Sequence, residues 1–261
     1  MRFKDKVVFV TGGTKGLGRA MAQAFLEEGA CVGVNGRNEE YVVKFQKDFK
    51  DKKVIAFNND IANYDAMEDM VEKIFGTWGR IDVLINNAGI MNPLTVSEKV
   101  KKTDFDTLID VNLKGTFYVT QIFGRKMIKQ GYGRIINISS QAALFGEKGF
   151  LPYAISKSAL MSMTRSLAYE WSKYGITTCA IAPGFMKGGM NENLIKKEAF
   201  VNYLSKRTPA GRMGNIEELV SLVLFLASDT ARYINGEIIT MDGGMTGYTE
   251  ESLLDFIMKG R

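Results

Sequence analysis

The chain is 261 residues long, with 46% apolar and 24% charged residues, and these ordinary globular values argue against disorder, collagen and coiled coil. Its net charge of +5 comes from 34 basic residues mixed with 29 acidic ones, so we expect no nucleic-acid partner. The chain contains no histidine, which excludes Ser-His-Asp catalysis, His-ligated metals and an imidazole pH switch. We expect no metal site, and in an enzyme another side chain must move the protons.

The start of the chain and the cysteine content bear on the compartment. The first apolar run is too short for a signal peptide or a membrane span, so we expect no membrane association. Cys31 and Cys179 are too few for a disulfide framework, and both lie in apolar runs. We interpret them as buried thiols and expect a cytoplasmic protein.

Short apolar runs alternate with longer amphipathic ones along the whole chain. The runs predict strands at Lys6–Thr11, Cys31–Asn35, Val54–Asn58, Val83–Asn86, Arg134–Ser139, Thr177–Ala182 and Glu237–Met241. The amphipathic segments predict helices at Gly16–Glu28, Glu39–Lys50, Tyr64–Thr77, Phe105–Gln130, Tyr153–Lys173 and Ile216–Ala227. This alternation predicts an α/β fold, a parallel sheet with helices on both faces, and the length suits one domain over residues 1–261. Residues 184–207 form the least regular stretch and are a candidate substrate loop.

The first strand leads into a glycine-rich turn, Thr11-Gly12-Gly13-Thr14-Lys15-Gly16-Leu17-Gly18, after which a helix begins. Glycine lets the backbone approach a pyrophosphate, and a helix N-terminus offers free N–H groups and a positive dipole. No Gly-Lys-Ser/Thr follows, so the turn is not a P-loop. Such a turn can be a tight connection without a ligand, but its position after the first strand favours a dinucleotide site. The expected cofactor-binding residues here are Gly12, Thr14, Lys15, Gly16, Leu17 and Gly18.

The end of the second strand indicates which dinucleotide is preferred. An acidic residue that bonds a ribose 2′-hydroxyl is expected there, but the strand ends Asn35-Gly36-Arg37 with neither Asp nor Glu. Arg37, together with Lys15, suits a 2′-phosphate, which a carboxylate would repel. Arg37 can also be read as a plain surface cation, but the sequence favours NADP(H) over NAD(H).

Without histidine, a tyrosine beside an ammonium group becomes a candidate general acid, because the positive charge favours the phenolate. Residues four apart share a helix face, so Tyr-x-x-x-Lys is a plausible unit. Two such pairs occur, each with a serine 13 residues upstream: Ser140 with Tyr153/Lys157, and Ser156 with Tyr169/Lys173. Spacing alone does not distinguish between them.

The predicted elements do distinguish the two sets. Ser156 and Tyr169 lie in one predicted helix, where 13 residues span roughly 20 Å, so they cannot contact one substrate. Ser140 instead follows a strand, and a loop leads from it to Pro152, a residue favoured in the first turn of a helix. In open α/β sheets ligands bind at the carboxyl ends of strands. We therefore predict that the catalytic residues include Ser140, Tyr153 and Lys157.

Several further motifs accompany these residues, in one order that spans nearly the whole chain. They are Thr11-Gly12-x-x-x-Gly16-x-Gly18, Asn86-Asn87-Ala88-Gly89, Asn112 in Val-Asn-Leu, Ser140, Tyr153-x-x-x-Lys157 and Pro183-Gly184. In this combination, which is highly specific, the sequence resembles the classical short-chain dehydrogenases/reductases. Among them it looks most like the 3-oxoacyl-(acyl-carrier-protein) reductases, as in Pro209-Ala210-Gly211-Arg212 and Ser228-Asp229. The resemblance implies one Rossmann-type, doubly wound domain with a seven-stranded parallel sheet, assembled as a homotetramer.

The resemblance also implies a role for each site residue. Tyr153 would exchange a proton with the carbonyl oxygen, and Ser140 would hydrogen-bond that oxygen. Lys157 would lower the pKa of the tyrosine and bind the nicotinamide ribose. Asn112 would hold a water in the proton relay, although an asparagine inside a helix can also simply bond the backbone. The other cofactor-binding residues implied are Asp60, which would contact adenine, Ile61, Asn87, Ala88, Gly89, Pro183 and Gly184.

Two departures from the family pattern concern the edges of the site. Gly188 occupies the position, four residues past Gly184, at which many relatives carry a threonine that bonds the nicotinamide carboxamide. The chain also continues beyond the point at which many relatives stop, as a tail over residues 249–261. Within it, Ser252–Met258 is expected to be able to form a helix that closes a pocket.

The expected pocket lining is largely apolar, with Lys187 as its main charge. It comprises Ile90–Leu94, Gln141–Phe145, Phe150–Leu151 and Phe185–Met190. This lining predicts a ketone on a hydrophobic body, either a small molecule or an acyl thioester. A 3-oxoacyl-(acyl-carrier-protein) reductase, with Lys126 and Lys129 meeting the acidic carrier, and a sugar or steroid dehydrogenase stay open. A non-catalytic NADP(H)-binding sensor is the alternative of a different class.

Overall fold

The computed structural model describes residues 1–188 and 196–247. Seven parallel strands form one sheet: β1 (Val7–Val10), β2 (Cys31–Gly36), β3 (Val54–Asn58), β4 (Val83–Asn86), β5 (Gly133–Ile138), β6 (Ile176–Pro183) and β7 (Ile238–Met241). Their order in the sheet is β3-β2-β1-β4-β5-β6-β7. The predicted doubly wound, seven-stranded parallel sheet is confirmed, and each predicted strand end lies within one residue of the observed end.

The strands are covered on both faces, which explains their continuous apolar runs. All residues of β1, β4 and β5 are buried. One core cluster includes Phe25 and Ile181, and a second, on the other face, includes Phe9 and Phe123. β1 pairs with both β2 and β4, so the order of the strands reverses there and opens a crevice at their carboxyl ends.

Helices connect the strands and cover the two faces of the sheet. In the described part of the chain they are α1 (Gly16–Glu27), α2 (Glu39–Asp48), α3 (Tyr64–Trp78), α4 (Lys102–Ile109), α5 (Thr116–Gln130), α6 (Leu151–Trp171), α7 (Glu198–Arg207) and α8 (Ile216–Ala227). None of these helices is long and apolar enough to cross a membrane. Cys31 and Cys179 are buried free thiols, as interpreted from the sequence.

The single long helix predicted over Phe105–Gln130 is wrong in detail. The helix begins earlier, at Lys102, and a π-helical turn over Asp110–Gly115 separates α4 from α5. At Gly115 a side-chain Cβ would lie 2.9 Å from Cγ1 of Ile61, so the helix packs tightly on that residue. Ile61, expected to bind the cofactor, is itself only 3% exposed, within the core. Single π turns inside helices are frequent at functional sites.

The stretch expected to be irregular contains a helix. α7 occupies Glu198–Arg207 and anchors itself through Leu204, which is buried. Half of the ten residues in its sequence, EAFVNYLSKR, are apolar, and the prediction missed this helix. Residues 189–195 of the same stretch lie outside the described residues. The tail over 249–261, with the expected helix Ser252–Met258, also lies outside them.

Candidate active site

The glycine-rich turn lies at the carboxyl end of β1, against the loop that follows β4. Gly12 and Gly16 have φ angles of 63° and 55°, in the left-handed region that favours glycine. A Cβ on Gly18 would lie 2.3 Å from the carbonyl oxygen of Gly12, so only glycine permits this approach of helix and turn. The turn is therefore a tight backbone cradle.

A buried hydroxyl joins this cradle to the Asn87-Ala88-Gly89 loop. Thr11 Oγ1 accepts hydrogen bonds from the backbone N–H groups of Asn87 and Ala88, both at 2.9 Å. Asn87 Nδ2 in turn donates to the carbonyl oxygen of Thr11 at 2.9 Å. From β2, Asn35 Oδ1 accepts the N–H of Gly12 at 3.0 Å. Cofactor-binding residues predicted from separate motifs thus form one connected wall.

Helix α1 starts directly at this wall and offers uncapped N–H groups. Lys15, at its N-cap, makes no capping hydrogen bond, and its first turn contains no acidic residue. The first N–H groups of a helix have no intrahelical partner and carry the positive end of the helix dipole. The pyrophosphate of a dinucleotide fits this combination of open donors and glycines. The residues that would hold it are Gly12, Thr14, Gly16, Leu17 and Gly18.

Lys15 and Arg37 are the two cations expected to bind a 2′-phosphate, and each follows directly on one of two backbone segments that contact each other. A Cβ on Gly36 would lie 2.4 Å from Thr14 Oγ1, so the end of β2 contacts the glycine-rich turn. Lys15 and Arg37 are the next residues of these two segments. The structure therefore brings both cations to one edge of the cradle.

Both cations are already held by neighbouring side chains. Lys15 Nζ lies 5.3 Å from the ring centroid of Tyr41, a cation–π contact. Arg37 Nη1 lies 3.6 Å from Asp60 Oδ2. Asp60, which the resemblance assigns to adenine, is thus also the ion-pair partner of Arg37.

Ser140 and Tyr153 come together, as predicted, from the end of β5 and the start of α6. Ser140 Oγ accepts the N–H of Ala142 at 3.2 Å, which fixes the serine at the mouth of the following turn. Tyr153 lies in the first turn of α6, beside Pro152. Desolvation raises the pKa of Tyr153, and a hydrogen bond with the Ser140 hydroxyl opposes that shift. The phenol is therefore protonated near neutral pH.

Lys157 is only 3% exposed and lies between the end of β5 and Gly89. Its Nζ donates to the carbonyl oxygen of Ile138 at 2.8 Å and lies 5.7 Å from the ring centroid of Tyr153. Burial lowers the pKa of Lys157 to about 8. That Lys157 lowers the pKa of Tyr153 stays a prediction, and in this structure burial, which penalises the charged form of each group, is the largest influence on both pKa values.

Asn112 is fully buried in the π-helical turn, and its amide serves the scaffold. Its Oδ1 accepts the N–H of Ile90 at 2.8 Å, and its Nδ2 donates to the carbonyl oxygen of Ile90 at 2.8 Å. Nδ2 also lies 3.2 Å from Ser156 Oγ, which donates to the carbonyl oxygen of Tyr153 at 2.8 Å. Asn112 therefore clamps the loop after β4 to α6, the alternative that the sequence left open, and its water-holding role stays a prediction.

The competing Tyr-x-x-x-Lys pair lies away from this cluster. Tyr169 is in the same helix as Ser156, as predicted, and it is 91% exposed. Lys173 Nζ lies 5.1 Å from the ring centroid of Tyr174. The prediction that Tyr169 and Lys173 belong to the surface is confirmed.

The end of β6 and its following loop border the site on the opposite side. After Pro183, a Cβ on Gly184 would lie 2.9 Å from Gln141 Oε1, a buried oxygen with no hydrogen-bond partner in the described part of the chain. Gly188 has a φ of 92°, which strains any other residue. The threonine typical of relatives is therefore incompatible with the backbone at this position.

A cavity open to solvent lies beside Tyr153, and its empty volume of about 360 Å³ includes part of that open space. Its described lining residues are Met91, Asn92, Pro93, Leu94, Thr95, Val100, Asp104, Leu108, Gly149, Phe150, Pro152 and Tyr153. Of the predicted lining, only Met91–Leu94 and Phe150 are among them. Phe185 and Met186 line a separate cavity near α8, and the charge of Lys187 acts on Glu218 of that helix. Lys187, expected to be the main charge of the pocket, is therefore not among the described lining residues of this cavity. The charged residue there is Asp104, which has the opposite sign.

Sequence reasoning missed Thr11, Asn35 and Asp104 as site residues. Thr11 and Asn35 carried a usable signal, since each is a polar residue at the carboxyl end of a buried strand. Asp104 carried none, because it lies in a charged, exposed helical turn and belongs to none of the motifs.

Known proteins with related sequences cover nearly the whole chain. A family model described as "Enoyl-(Acyl carrier protein) reductase" matches residues 12–246. Gluconate 5-dehydrogenase of Gluconobacter oxydans is 38% identical over 239 residues, 91% of this chain and 93% of that protein. A 3-oxoacyl-[acyl-carrier-protein] reductase of Thermotoga maritima is 40% identical over 248 residues, 94% of this chain and 99% of that protein.

Solved structures give the same result for the fold. A gluconate 5-dehydrogenase from Burkholderia cenocepacia, in complex with NADP and tartrate, has a TM-score of 0.90 and 34% identity, covering 95% of this chain and 98% of that chain. Levodione reductase has a TM-score of 0.90 and 31% identity, covering 95% of this chain and 100% of that chain. The chain belongs to the classical short-chain dehydrogenase/reductase family of oxidoreductases, which use a nicotinamide cofactor.

Proposed function

We propose that the protein is an NADP(H)-dependent oxidoreductase that interconverts a ketone and a secondary alcohol, with Tyr153 as the general acid and base. The observation that carries the proposal is the convergence of Ser140, Tyr153 and Lys157 at the carboxyl ends of the strands, beside an uncapped helix N-terminus. A non-catalytic NADP(H) sensor would not require two hydroxyl donors and a buried ammonium in one cluster.

In this mechanism the bound nicotinamide supplies or accepts the hydride. During reduction Tyr153 donates its phenolic proton to the carbonyl oxygen, while the Ser140 hydroxyl donates a hydrogen bond to the same oxygen. The raised pKa of Tyr153 supports this direction, because the phenol keeps its proton until the oxyanion forms. Lys157 places a positive charge close to the resulting phenolate, and Asn112 positions the Ile90 loop that borders the site.

Three observations support NADP(H) as the preferred cofactor. Arg37 and Lys15 follow contacting backbone segments at the edge of the cradle, and the strand β2 ends without a carboxylate. A structurally similar gluconate 5-dehydrogenase was solved with NADP. The contact of Asp60 with Arg37 is exposed, so a 2′-phosphate can compete for the guanidinium at small cost.

The apolar cavity beside Tyr153 favours a ketone on a hydrophobic body over a sugar. A 3-oxoacyl-(acyl-carrier-protein) reductase is the second candidate, favoured by the 40% identity to such a reductase. The predicted carrier contact is weakened at Lys126, because its Nζ is paired with Glu72 at 2.7 Å. A steroid dehydrogenase is the third candidate that the apolar lining accommodates.

We further propose that residues 1–261 form one domain and act as a cytoplasmic homotetramer. Among the described strands β7 is an edge strand with one neighbour, and its partly buried apolar residues suit coverage by another copy. Tyr233, five residues before this strand, is 100% exposed. Sedimentation of the purified protein as a tetramer is the expected result, and a monomer at micromolar concentration would contradict the proposal.

The experiment that tests the function follows the absorbance of NADPH with a panel of hydrophobic ketones, a 3-oxoacyl thioester and a keto sugar acid. We expect turnover with NADPH and a hydrophobic ketone. Tight NADPH binding without turnover of any carbonyl compound would favour the sensor. Turnover confined to the thioester would favour the carrier-protein reductase, and more efficient use of NADH than NADPH would contradict the assignment of Arg37.

A further inference from the structure

The cavity beside Tyr153 contains one ionisable side chain besides that tyrosine among its described lining residues, and it is a carboxylate. Asp104 lies in the first turn of α4, exposed at the cavity wall. The rest of that described lining is apolar or neutral and includes Leu94, Leu108 and Phe150. A substrate whose ketone reaches Tyr153 must therefore lie within the field of Asp104.

The charge of Asp104 is not neutralised by an ion pair within the described ranges 1–188 and 196–247. Its neighbours on the same surface are paired: Asp106 with Lys102, and Asp110 with Lys114. The carbonyl oxygen of Asp104 accepts a hydrogen bond from Asn92 Nδ2 at 2.7 Å, and Asn92 also lines the cavity. This bond fixes the backbone of Asp104 at the wall of the cavity, from which its one-carbon side chain carries the carboxylate.

Resting on the proposed function, we propose that Asp104 determines which substrate charge the enzyme accepts, and that the substrate class is a neutral or cationic hydrophobic ketone. A carboxylate within about 10 Å of a bound group attracts a cation and repels an anion, the more so beside an apolar wall that excludes water. Carboxylic acid substrates are consequently disfavoured. A carboxylate in the first turn of a helix also stabilises that helix by interacting with its dipole. The test must separate this structural role from an effect on substrate charge.

The test uses three ketones of one shape with different charges: 4-acetylbenzoate, 4-acetylbenzamide and 4-(aminomethyl)acetophenone. For each, kcat/KM with NADPH is measured in wild type, in Asp104→Asn and in the matched control Asp106→Asn. Calorimetric binding of the same compounds to the NADPH-loaded enzyme gives a second readout that needs no turnover. A structural role alone would change all three compounds together.

In wild type we expect both kcat/KM and affinity to decrease from the cationic to the neutral to the anionic ketone. Asp104→Asn should reduce the ratio of cation to anion by about threefold to thirtyfold, while Asp106→Asn leaves this ratio within about twofold. The wild-type ratio should also fall between about 20 mM and about 500 mM NaCl. A ratio that Asp104→Asn leaves unchanged, or a wild-type preference for 4-acetylbenzoate, overturns the inference, whereas failure of all ketones to turn over contradicts the proposed function instead.

Discussion

Lys157 donates a hydrogen bond from Nζ to the carbonyl oxygen of Ile138 at 2.8 Å, in a position where the lysine is only 3% exposed. No carboxylate is paired with this ammonium in the described part of the chain, so its burial is compensated by one backbone oxygen and little else. The buried ammonium of Lys157 therefore lowers the free energy of unfolding of the protein.

Replacing Lys157 with methionine should stabilise the protein at pH 7. The pKa of Lys157 falls from 10.5 to about 8 on burial, so below pH 8 the folded state bears the full penalty of a charged amine. Between these two values the unfolded chain binds more protons, and wild-type stability rises with pH. The shift corresponds to about 3 kcal/mol, reduced by about 1 kcal/mol for the bond lost at Ile138.

Urea unfolding of wild type and Lys157→Met at pH 7 and pH 10 measures this difference. The gain in free energy of unfolding should be largest at pH 7 and smaller at pH 10. A variant that is less stable than wild type by the same amount at pH 7 and pH 10 would show that the buried ammonium does not destabilise the folded protein.

The pH dependence of activity should report Lys157 before Tyr153. Desolvation raises the pKa of Tyr153, whereas the pKa of Lys157 is lowered to about 8, so the first of the two groups to titrate is the lysine. We expect kcat/KM for ketone reduction to fall as the pH rises, with an apparent pKa near 8, because the positive charge beside Tyr153 is then lost. Lys157→Arg should abolish that inflection even where the rate falls, because a guanidinium stays protonated. A wild-type inflection retained in Lys157→Arg would assign it elsewhere.

The clamp between Asn112 and Ile90 should be a large contributor to stability. Asn112→Ala leaves both the N–H and the carbonyl oxygen of Ile90 without their partners in a partly buried place, at a cost of about 2–4 kcal/mol. Asn63→Ala is the control, since Asn63 caps α3 at an exposed position and its loss should cost about 1 kcal/mol. Equal losses of unfolding free energy in the two variants would contradict the clamp.

Arg37 should discriminate between the two nicotinamide dinucleotides. Arg37→Gln is expected to weaken NADPH binding by about tenfold to a hundredfold, because a charge-assisted bond to the 2′-phosphate is lost, and to leave NADH binding nearly unchanged. Arg19→Gln is the matched control, since Arg19 lies on α1 and is paired with Asp48. Fluorescence titration with both dinucleotides gives the two dissociation constants. If Arg37→Gln weakened NADH binding as much as NADPH binding, Arg37 would not recognise the 2′-phosphate.

The predictable parts of this protein are those that depend on local patterns. The central strands could be located because a parallel strand buried on both faces must be apolar throughout, and Ser140 could be chosen over Ser156 because of the length of one helix. The π turn at Asn112 could not be found, since it depends on the tight packing of Gly115 on Ile61, distant in sequence. The sign of the pocket charge also depended on tertiary placement, because Lys187 and Asp104 look equally surface-like in the sequence.

The pKa of Tyr153 illustrates the same limit. The four-residue spacing correctly places Lys157 one turn away on α6, but the spacing says nothing about desolvation. Desolvation depends on every element packed around the pair, and in this structure it outweighs the influence of one ammonium group.

The central claim is that Tyr153 transfers the proton, and a comparison of Tyr153→Phe with Tyr169→Phe tests it most directly. Both variants remove one phenolic oxygen from α6, but Tyr169 is 91% exposed on the surface. We predict that Tyr153→Phe lowers kcat for NADPH-dependent ketone reduction by at least about a hundredfold with NADPH affinity retained, while Tyr169→Phe stays within about twofold of wild type. Wild-type kcat in Tyr153→Phe would contradict the mechanism.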